Sequence, residues 1–433
     1  MRSSGAKGST KGHLNISDAG PRLGSTKQRN AARAALSLAV LSALLLIAAS
    51  PAQAQASETV LHNFDGKDGS GPNSRLTSDG AGNFYGTTPG GGSAGDGTVY
   101  EVSPNDGGWN ETPIYSFGPQ PAGGYTPDFS PVIFDRAGNL YGTAYGGGAN
   151  FYGVVFELSP PGSNWTETVL YNFCPEGYPC NVTGAYPIGG LIMDSKGNFY
   201  GTTSAGGANG IGTVFELSPS GGNWTEQVIY SIGKSDRAAD GLVMDASGNI
   251  FGSTNSTVFE LTPSGNGWDA TLIHNFKGSP KDGIGGEFCT LVLDQAGNLY
   301  GTTTSGGKDN AGTVYKLTPV VSGKKKGTYT EKILYSFKTN GKDGVGPSAG
   351  IVFDGAGNIY GTTIGGGKYN AGTVYELALT GTGTYKEKIL WSFNNTDGNQ
   401  PESSLILDSL GNLYGTTYTG GANGVGTVFE VTP

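Results

Sequence analysis

The stretch Leu191-Ile192-Met193-Asp194-Ser195-Lys196-Gly197-Asn198-Phe199-Tyr200-Gly201-Thr202-Thr203 decides the fold, because the chain keeps returning to it. An apolar run ends in Asp, a Gly-Asn turn follows, and Phe-Tyr-Gly-Thr-Thr resumes an extended pattern, so two strands flank a tight reversal. The phrase Gly-Asn-(Phe/Leu/Ile)-(Tyr/Phe)-Gly occurs seven times, with its Asn at Asn83, Asn139, Asn198, Asn249, Asn298, Asn358 and Asn412. Those seven span 329 residues over six intervals, a mean of about 55. Each unit then adds Gly-Thr-Val-Phe-Glu-Leu, as in Gly212 to Leu217, and a segment like Trp224 to Tyr230. All four pieces are short, β-branched or aromatic, and bounded by Gly, Pro, Asn or Ser, so each is predicted to be a strand.

Four strands per unit at this period predict an all-β fold, a seven-bladed β-propeller of four-stranded antiparallel blades. The ends of the chain predict how the ring closes. The seventh unit stops after Gly426-Thr427-Val428-Phe429-Glu430-Val431 and lacks its fourth strand, while Glu58-Thr59-Val60-Leu61-His62-Asn63-Phe64 supplies one at the other end. An N-terminal strand that completes the last blade removes an open edge.

Composition narrows the alternatives in the same direction. The 433 residues include 77 Gly and 22 Pro, close to a low-complexity chain, yet 36% are hydrophobic and 10% aromatic, enough to build a core. Glycine has no three-residue period, which excludes collagen, and charged helix formers are too few for a helical bundle. The first 56 residues stand apart: Arg29 and Arg33 precede an apolar stretch from Ala34 to Ala49, and small residues follow through Ala56. This is the order of a secretory signal peptide, here with a long basic leader, and it predicts a secreted, periplasmic or cell-surface protein, either without membrane insertion after its removal or held by the segment as an N-terminal anchor. Residues 1–56 carry seven of the 26 Lys and Arg and one of the 35 acids, so 57–433, the single predicted propeller domain, has a net charge of about −15. That balance excludes nucleic acid as a partner. The basic run Lys324-Lys325-Lys326 is expected at a solvated hairpin tip.

At the repeated residues the chain resembles a known family. The pattern Asp-x-x-Gly-Asn-Leu-Tyr-Gly-Thr-Thr, then Gly-Gly, then Gly-Thr-Val-Phe-Glu-Leu, is similar to the GloVer (Gloeo_Verruco) tandem repeat of exported bacterial proteins. The resemblance covers essentially all of residues 57–433 and implies an exported propeller, with no established activity or catalytic residues to transfer. The Asp-x-x-Gly-Asn phrase is also similar to NHL-type and streptogramin-lyase-like propellers, and the sialidase box Ser-x-Asp-x-Gly-x-x-Trp does not occur.

Residues present in every repeat are expected to serve every blade. Asp79, Asp135, Asp194, Asp245, Asp294, Asp354 and Asp408 are predicted to accept backbone N–H groups across the hairpin turn rather than to bind calcium, which wants more oxygens at alternate positions. Glu101, Glu157, Glu216, Glu260, Glu376 and Glu430 recur on the third strand, too far apart in a ring to form one acid–base pair. His62 and His274 stand where other units have Tyr115, Tyr171, Tyr230, Tyr335 or Trp391, so they are expected to replace packing aromatics. No triad and no metal set is assembled from them, and no cofactor is expected. Cys174 and Cys180 are expected to form a small disulfide loop, with Cys289 a buried thiol outside it.

Departures from the repeat point to the candidate site. Between the Gly after the aromatic and the Val of Gly-Thr-Val, Gly201 to Val214 is typical, but blade four runs only from Gly252 to Val258. Connections from a fourth strand to the next first strand carry Asp-Gly at Asp68, Asp282, Asp343 and Asp397, entering blades one, five, six and seven. Tyr125 and Phe129 enter blade two instead, and Tyr178 and Tyr186 enter blade three. These eight residues are the expected ligand-binding set, an acidic arc beside an aromatic cluster on one face. The expected function is a non-enzymatic, monomeric binding module for a glycan, a peptide or a cell-surface partner. A carbohydrate-active hydrolase or lyase working through carboxylates is the alternative, and a structural module of an envelope assembly a third.

Overall fold

The computed structural model describes residues 55–433, apart from 119–122, 161–164, 235, 238–240, 266, 286–288, 324–326 and 382. Residues 1–54 of the expected signal segment and the basic run at 324–326 lie outside the described residues. Residues 55–433 form one compact unit. Among the described residues every regular element is a strand, and the large sheets number seven, each of four antiparallel strands. Blade three shows the pattern: Gly184–Met193, Phe199–Gly206, Thr213–Ser220 and Asn223–Ser231 pair in sequence order. The seventh blade is completed from the other end of the chain. Its sheet runs from Ser57–Asn63 to Thr427–Thr432, Leu413–Thr417 and Ile406–Leu407, with Glu58 opposite Val431 and Asn63 opposite Thr427.

The core is a ring of junctions rather than one centre. Seven apolar clusters each combine residues of two neighbouring blades, and the one joining Leu61 and Phe64 of blade seven to Leu76, Tyr100 and Val102 of blade one closes the circle. The aromatic that ends a fourth strand meets the third-strand aromatic of the next blade edge to face. Phe64–Tyr100, Phe117–Phe156, Phe173–Phe215, Phe276–Tyr315 and Phe337–Tyr375 all have centroids 5.0–5.2 Å apart. This explains the glycine of the Tyr-Gly-Thr phrase: a Cβ on Gly86 would lie 2.3 Å from the Tyr100 hydroxyl, and one on Gly142 would lie 2.7 Å from the Phe156 ring.

Hydrogen bonds account for the other repeated residues. Asp135 accepts from the amides of Ala137 and Asn139, the Asn139 side chain and the Tyr141 hydroxyl, at 2.8–3.1 Å. The same Asx turn recurs at the other six aspartates, as the sequence predicts. In blades one, two, five and six the first threonine of the tail after Tyr-Gly bonds across the junction, as Thr87 does to the Ser130 carbonyl at 3.0 Å. The second pairs with the threonine of Gly-Thr-Val at 2.8 Å in five blades.

Candidate functional site

The connection into a blade and the loop between its second and third strands share one face. Gly92 donates to the Gly66 carbonyl, Gly207 to Thr183, Gly307 to Asp282 and Gly367 to Asp343. Blade four has lost that second loop. Asp236, from the incoming connection, covers the place: its carboxylate accepts from the hydroxyls of Thr254 and Thr257 and from the Ser256 amide.

The four Asp-Gly aspartates do not form an exposed acidic arc. Asp282, Asp343 and Asp397 are at most 8% exposed, and Asp68 is largely covered too. Asp282 accepts from the Gly283 and Lys277 amides at 2.7 and 2.8 Å, and Asp343 from the Gly344 amide and the Tyr335 hydroxyl at 2.8 and 2.7 Å. Asp397 takes the Asn394 amide at 2.8 Å and the Trp391 indole at 3.2 Å. Each also faces a carboxylate from the fourth strand of the blade it enters: Glu111, Glu331, Glu387 and Glu58. Burial, with the adjoining aspartate second, pushes Glu111, Glu331 and Glu58 up to about 8 and Glu387 to about 7. Blades two and three lack the aspartate, and there the glutamate takes over its bond. Glu167 accepts from the Gly124 amide and Tyr115 hydroxyl, both at 2.9 Å, and Glu226 from the Gly184 amide and Tyr171 hydroxyl at 3.1 and 3.2 Å.

The aromatics divide. Phe129 lines the central cavity, away from the others. Tyr125, Tyr178 and Tyr186 gather between blades two and three with two residues of the blade-two loop that the repeat comparison missed, Tyr145 and Tyr152. The Tyr145 and Tyr186 rings stack at 5.0 Å and 23°, and Tyr152 meets Tyr186 edge-on at 5.5 Å. Burial, then the phenols of Tyr152, Tyr145, Tyr125 and Tyr178, push the Tyr186 hydroxyl up. Cys174 and Cys180 form the expected disulfide; it packs with Ala185 against Tyr152 and Tyr186, and its loop carries Tyr178, which is 78% exposed. Cys289 is buried and accepts from the Thr302 hydroxyl.

Backbone strain marks the same place. Tyr186 has a φ of +56°, at a place where blades one, five and six have Gly71, Gly285 and Gly346 and blades two and seven have Thr126 and Gln400 at +54° and +55°. Phe151, at the tip of the blade-two loop, has a φ of +65° and is 65% exposed. Its counterparts are Gly95, Gly210, Asn310, Asn370 and Gly424, all in the left-handed region. A phenylalanine there bears both a steric penalty and wetted apolar surface. Sequence comparison of the loops would have revealed it, as the one aromatic in a column of Gly and Asn.

The central cavity, of about 690 Å³, is lined by residues in or just before the first strands of all seven blades. At the position of Arg75 the other blades have Pro131, Gly190, Gly241, Thr290, Gly350 and Ser404. Glu402 lines it as well, pushed up to about 7 by burial and by Asp128.

The chain matches the model of the Gloeobacter/Verrucomicrobia repeat over residues 50–257 and 322–433, most of its length, and it belongs to that family. No curated protein matches it in sequence. Among solved structures, a virginiamycin B lyase from Staphylococcus aureus is similar at a TM-score of 0.50 and 14% identity, over 88% of this chain and 99% of that one. A gluconolactonase from Xanthomonas campestris gives 0.41 and 13%, over 72% and 87%, and a chain of a nidogen/laminin complex 0.35 and 16%, over 61% and 82%. At these identities the likeness is one of fold.

Proposed function

We propose that this protein is an exported, non-enzymatic binding propeller whose aromatic patch on blades two and three docks a glycan at the cell surface. The observation that carries the reading is Phe151, an exposed ring on a left-handed backbone that the sibling loops give to Gly or Asn. Strain kept where no packing is gained suits a contact made with something outside the chain. Phe151 and Tyr178 offer bare ring faces, the stacked pair Tyr145–Tyr186 offers an edge and two hydroxyls, and the disulfide beneath holds the platform in shape. Aromatic faces with phenol rims stack on pyranose rings and bond to their hydroxyls, without the positive charge that an anionic ligand needs.

The test is a binding screen against glycans and cell-wall polymers, run beside a reducing-end release assay. Binding without release, weakened at least tenfold by Tyr178→Ala with Phe151→Asn, supports the reading. Product release would favour the hydrolase or lyase, and binding that ignores both substitutions would move the site off the patch.

A further inference from the structure

Two of the seven blade junctions have a histidine where the other five have Tyr115, Tyr171, Tyr230, Tyr335 or Trp391. Both histidines meet the same two partners: the aspartate of the incoming Asp-Gly loop and the glutamate of the next blade's fourth strand. At the junction of blades seven and one, His62 Nε2 lies 2.9 Å from Asp68 Oδ2 and 3.8 Å from Glu111 Oε2. At the junction of blades four and five, His274 Nε2 lies 3.6 Å from Asp282 Oδ2 and 3.7 Å from Glu331 Oε1. In each trio the candidate ligand atoms all lie within 4.8 Å of one another.

We infer that these two trios are divalent transition-metal sites, each clamping two neighbouring blades through one imidazole and two carboxylates. Zinc holds nitrogen and oxygen ligands at about 2.0–2.2 Å, which puts tetrahedral ligand atoms roughly 3.4 Å apart. The observed separations bracket that value. With both carboxylates ionised, as ligation requires, a neutral imidazole and two carboxylates carry the −2 charge that a divalent ion cancels. The mixed nitrogen–oxygen set suits zinc and its neighbours better than calcium, which prefers six to eight oxygens.

At all four Asp-Gly junctions a glutamate oxygen is buried without a hydrogen-bond partner, Glu58 Oε1 and Glu387 Oε1 included, but among the described residues only the two histidine junctions add an imidazole nitrogen to the carboxylates. The Glu111 side chain is 3% exposed, yet its Oε1 has no hydrogen-bond partner. At the second trio the atoms His274 Nε2 and Glu331 Oε1 are buried without a hydrogen-bond partner, on side chains 16% and 20% exposed. Leaving such groups bare inside a protein is unfavourable, and a cation would satisfy them together. The five sibling junctions are the internal control. Tyr115 and Tyr171 donate to the glutamate, and Tyr335 and Trp391 donate to the aspartate, so each of those four uses a donor that cannot ligate a metal as a neutral group.

The sibling residues also supply the variant that should still fold, since tyrosine occupies this place in four blades. The purified protein, stripped with chelator and dialysed against zinc, is counted by inductively coupled plasma mass spectrometry. Two zinc ions per chain are expected above the background of the His62→Tyr/His274→Tyr double variant, and one above it for each single variant. Cobalt in place of zinc should give a visible absorption band that the double variant lacks. Melting curves in chelator check that the variants remain folded. Wild-type protein that takes up no more zinc than the double variant overturns the inference, and a loss confined to one histidine removes the other site.

Discussion

Phe151→Asn should make the protein more stable while weakening its binding. The ring sits on a backbone with φ of +65°, where an ordinary L-residue loses about 1–2 kcal/mol and Asn much less. Relief of strain is therefore worth about 1 kcal/mol. Asparagine also brings a bond that phenylalanine lacks. In the sibling loops Asn310 Oδ1 accepts from the Gly306 amide at 2.9 Å and Asn370 Oδ1 from the Gly366 amide at 3.1 Å; the Gly147 amide occupies that place in blade two. A net hydrogen bond adds about 0.5–1.5 kcal/mol. Against this stands the lost burial of a ring that is already 65% exposed, about a third of the 1.5–3 kcal/mol for a fully buried side chain, so roughly 0.5–1 kcal/mol. The balance is a gain of about 1 kcal/mol. Urea unfolding followed by tryptophan fluorescence should move the midpoint upward at an unchanged slope. A midpoint that stays put or falls would refute the reasoning, because it would mean that the ring is packed or the backbone unstrained, and the functional argument built on Phe151 would fall with it.

Removing residues up to 66 should lower the melting temperature sharply or cause aggregation on size-exclusion chromatography, since Leu61 and Phe64 leave the core and Thr427–Thr432 becomes an open edge; a melt like that of the intact protein would refute closure by the N-terminal strand. Glu58, Glu111 and Glu331, raised to about 8 against an ordinary 4.5, favour the fold when protonated, so in chelator their contribution is full below about pH 4.5 and is lost as pH rises through 8. The melting temperature should therefore fall between pH 5 and pH 9, and the triple Glu→Gln variant should flatten that slope in a thermal-shift series. Asp135→Ala strips acceptors from two amides, an amide side chain and a phenol, and should cost about 1–2 kcal/mol in urea unfolding; an unchanged midpoint would show that the turn holds its shape without the aspartate.

The blades were legible because a repeat states its own alignment. Gly-Asn with its flanking apolar runs marks one hairpin per unit, and the missing fourth strand after Val431 pointed directly to Glu58 through Phe64. The aspartates of Asp-x-x-Gly-Asn were legible for a similar reason, since Asx-turn chemistry is local in sequence. What lies between blades was not. Glu111 and Glu331 look like any polar position on an alternating strand, and only the ring brings them to His62 and His274 of the preceding blade. Asp68 and Asp282 were picked out as loop residues, but an Asp-Gly turn is compatible with either an outward or an inward carboxylate. Burial of Asp282 is set by the neighbouring sheet, which the local sequence does not encode.

The departures from the repeat fall into two physical kinds, and the distinction bears on where function lies. Some are compensated within the protein. Loss of the Asp in blades two and three is matched by Glu167 and Glu226 taking over the glycine amide, and loss of the blade-four loop is matched by Asp236 bonding Thr254 and Thr257. Such exchanges leave every donor served, so they need no partner to explain them. Phe151 and Tyr186 are different: the Phe151 ring is 65% exposed on a left-handed backbone that five sibling blades give to Gly or Asn, and Tyr186 holds one that falls to Gly71, Gly285 and Gly346 in three blades and to Thr126 and Gln400 in two. Arg75 belongs with them, a guanidinium in a cavity wall where the other blades have Gly, Ser, Thr or Pro. A ring built from copies holds the stable alternative in the neighbouring blade, and on the proposed binding reading these exceptions mark where a partner meets the loop face and the cavity.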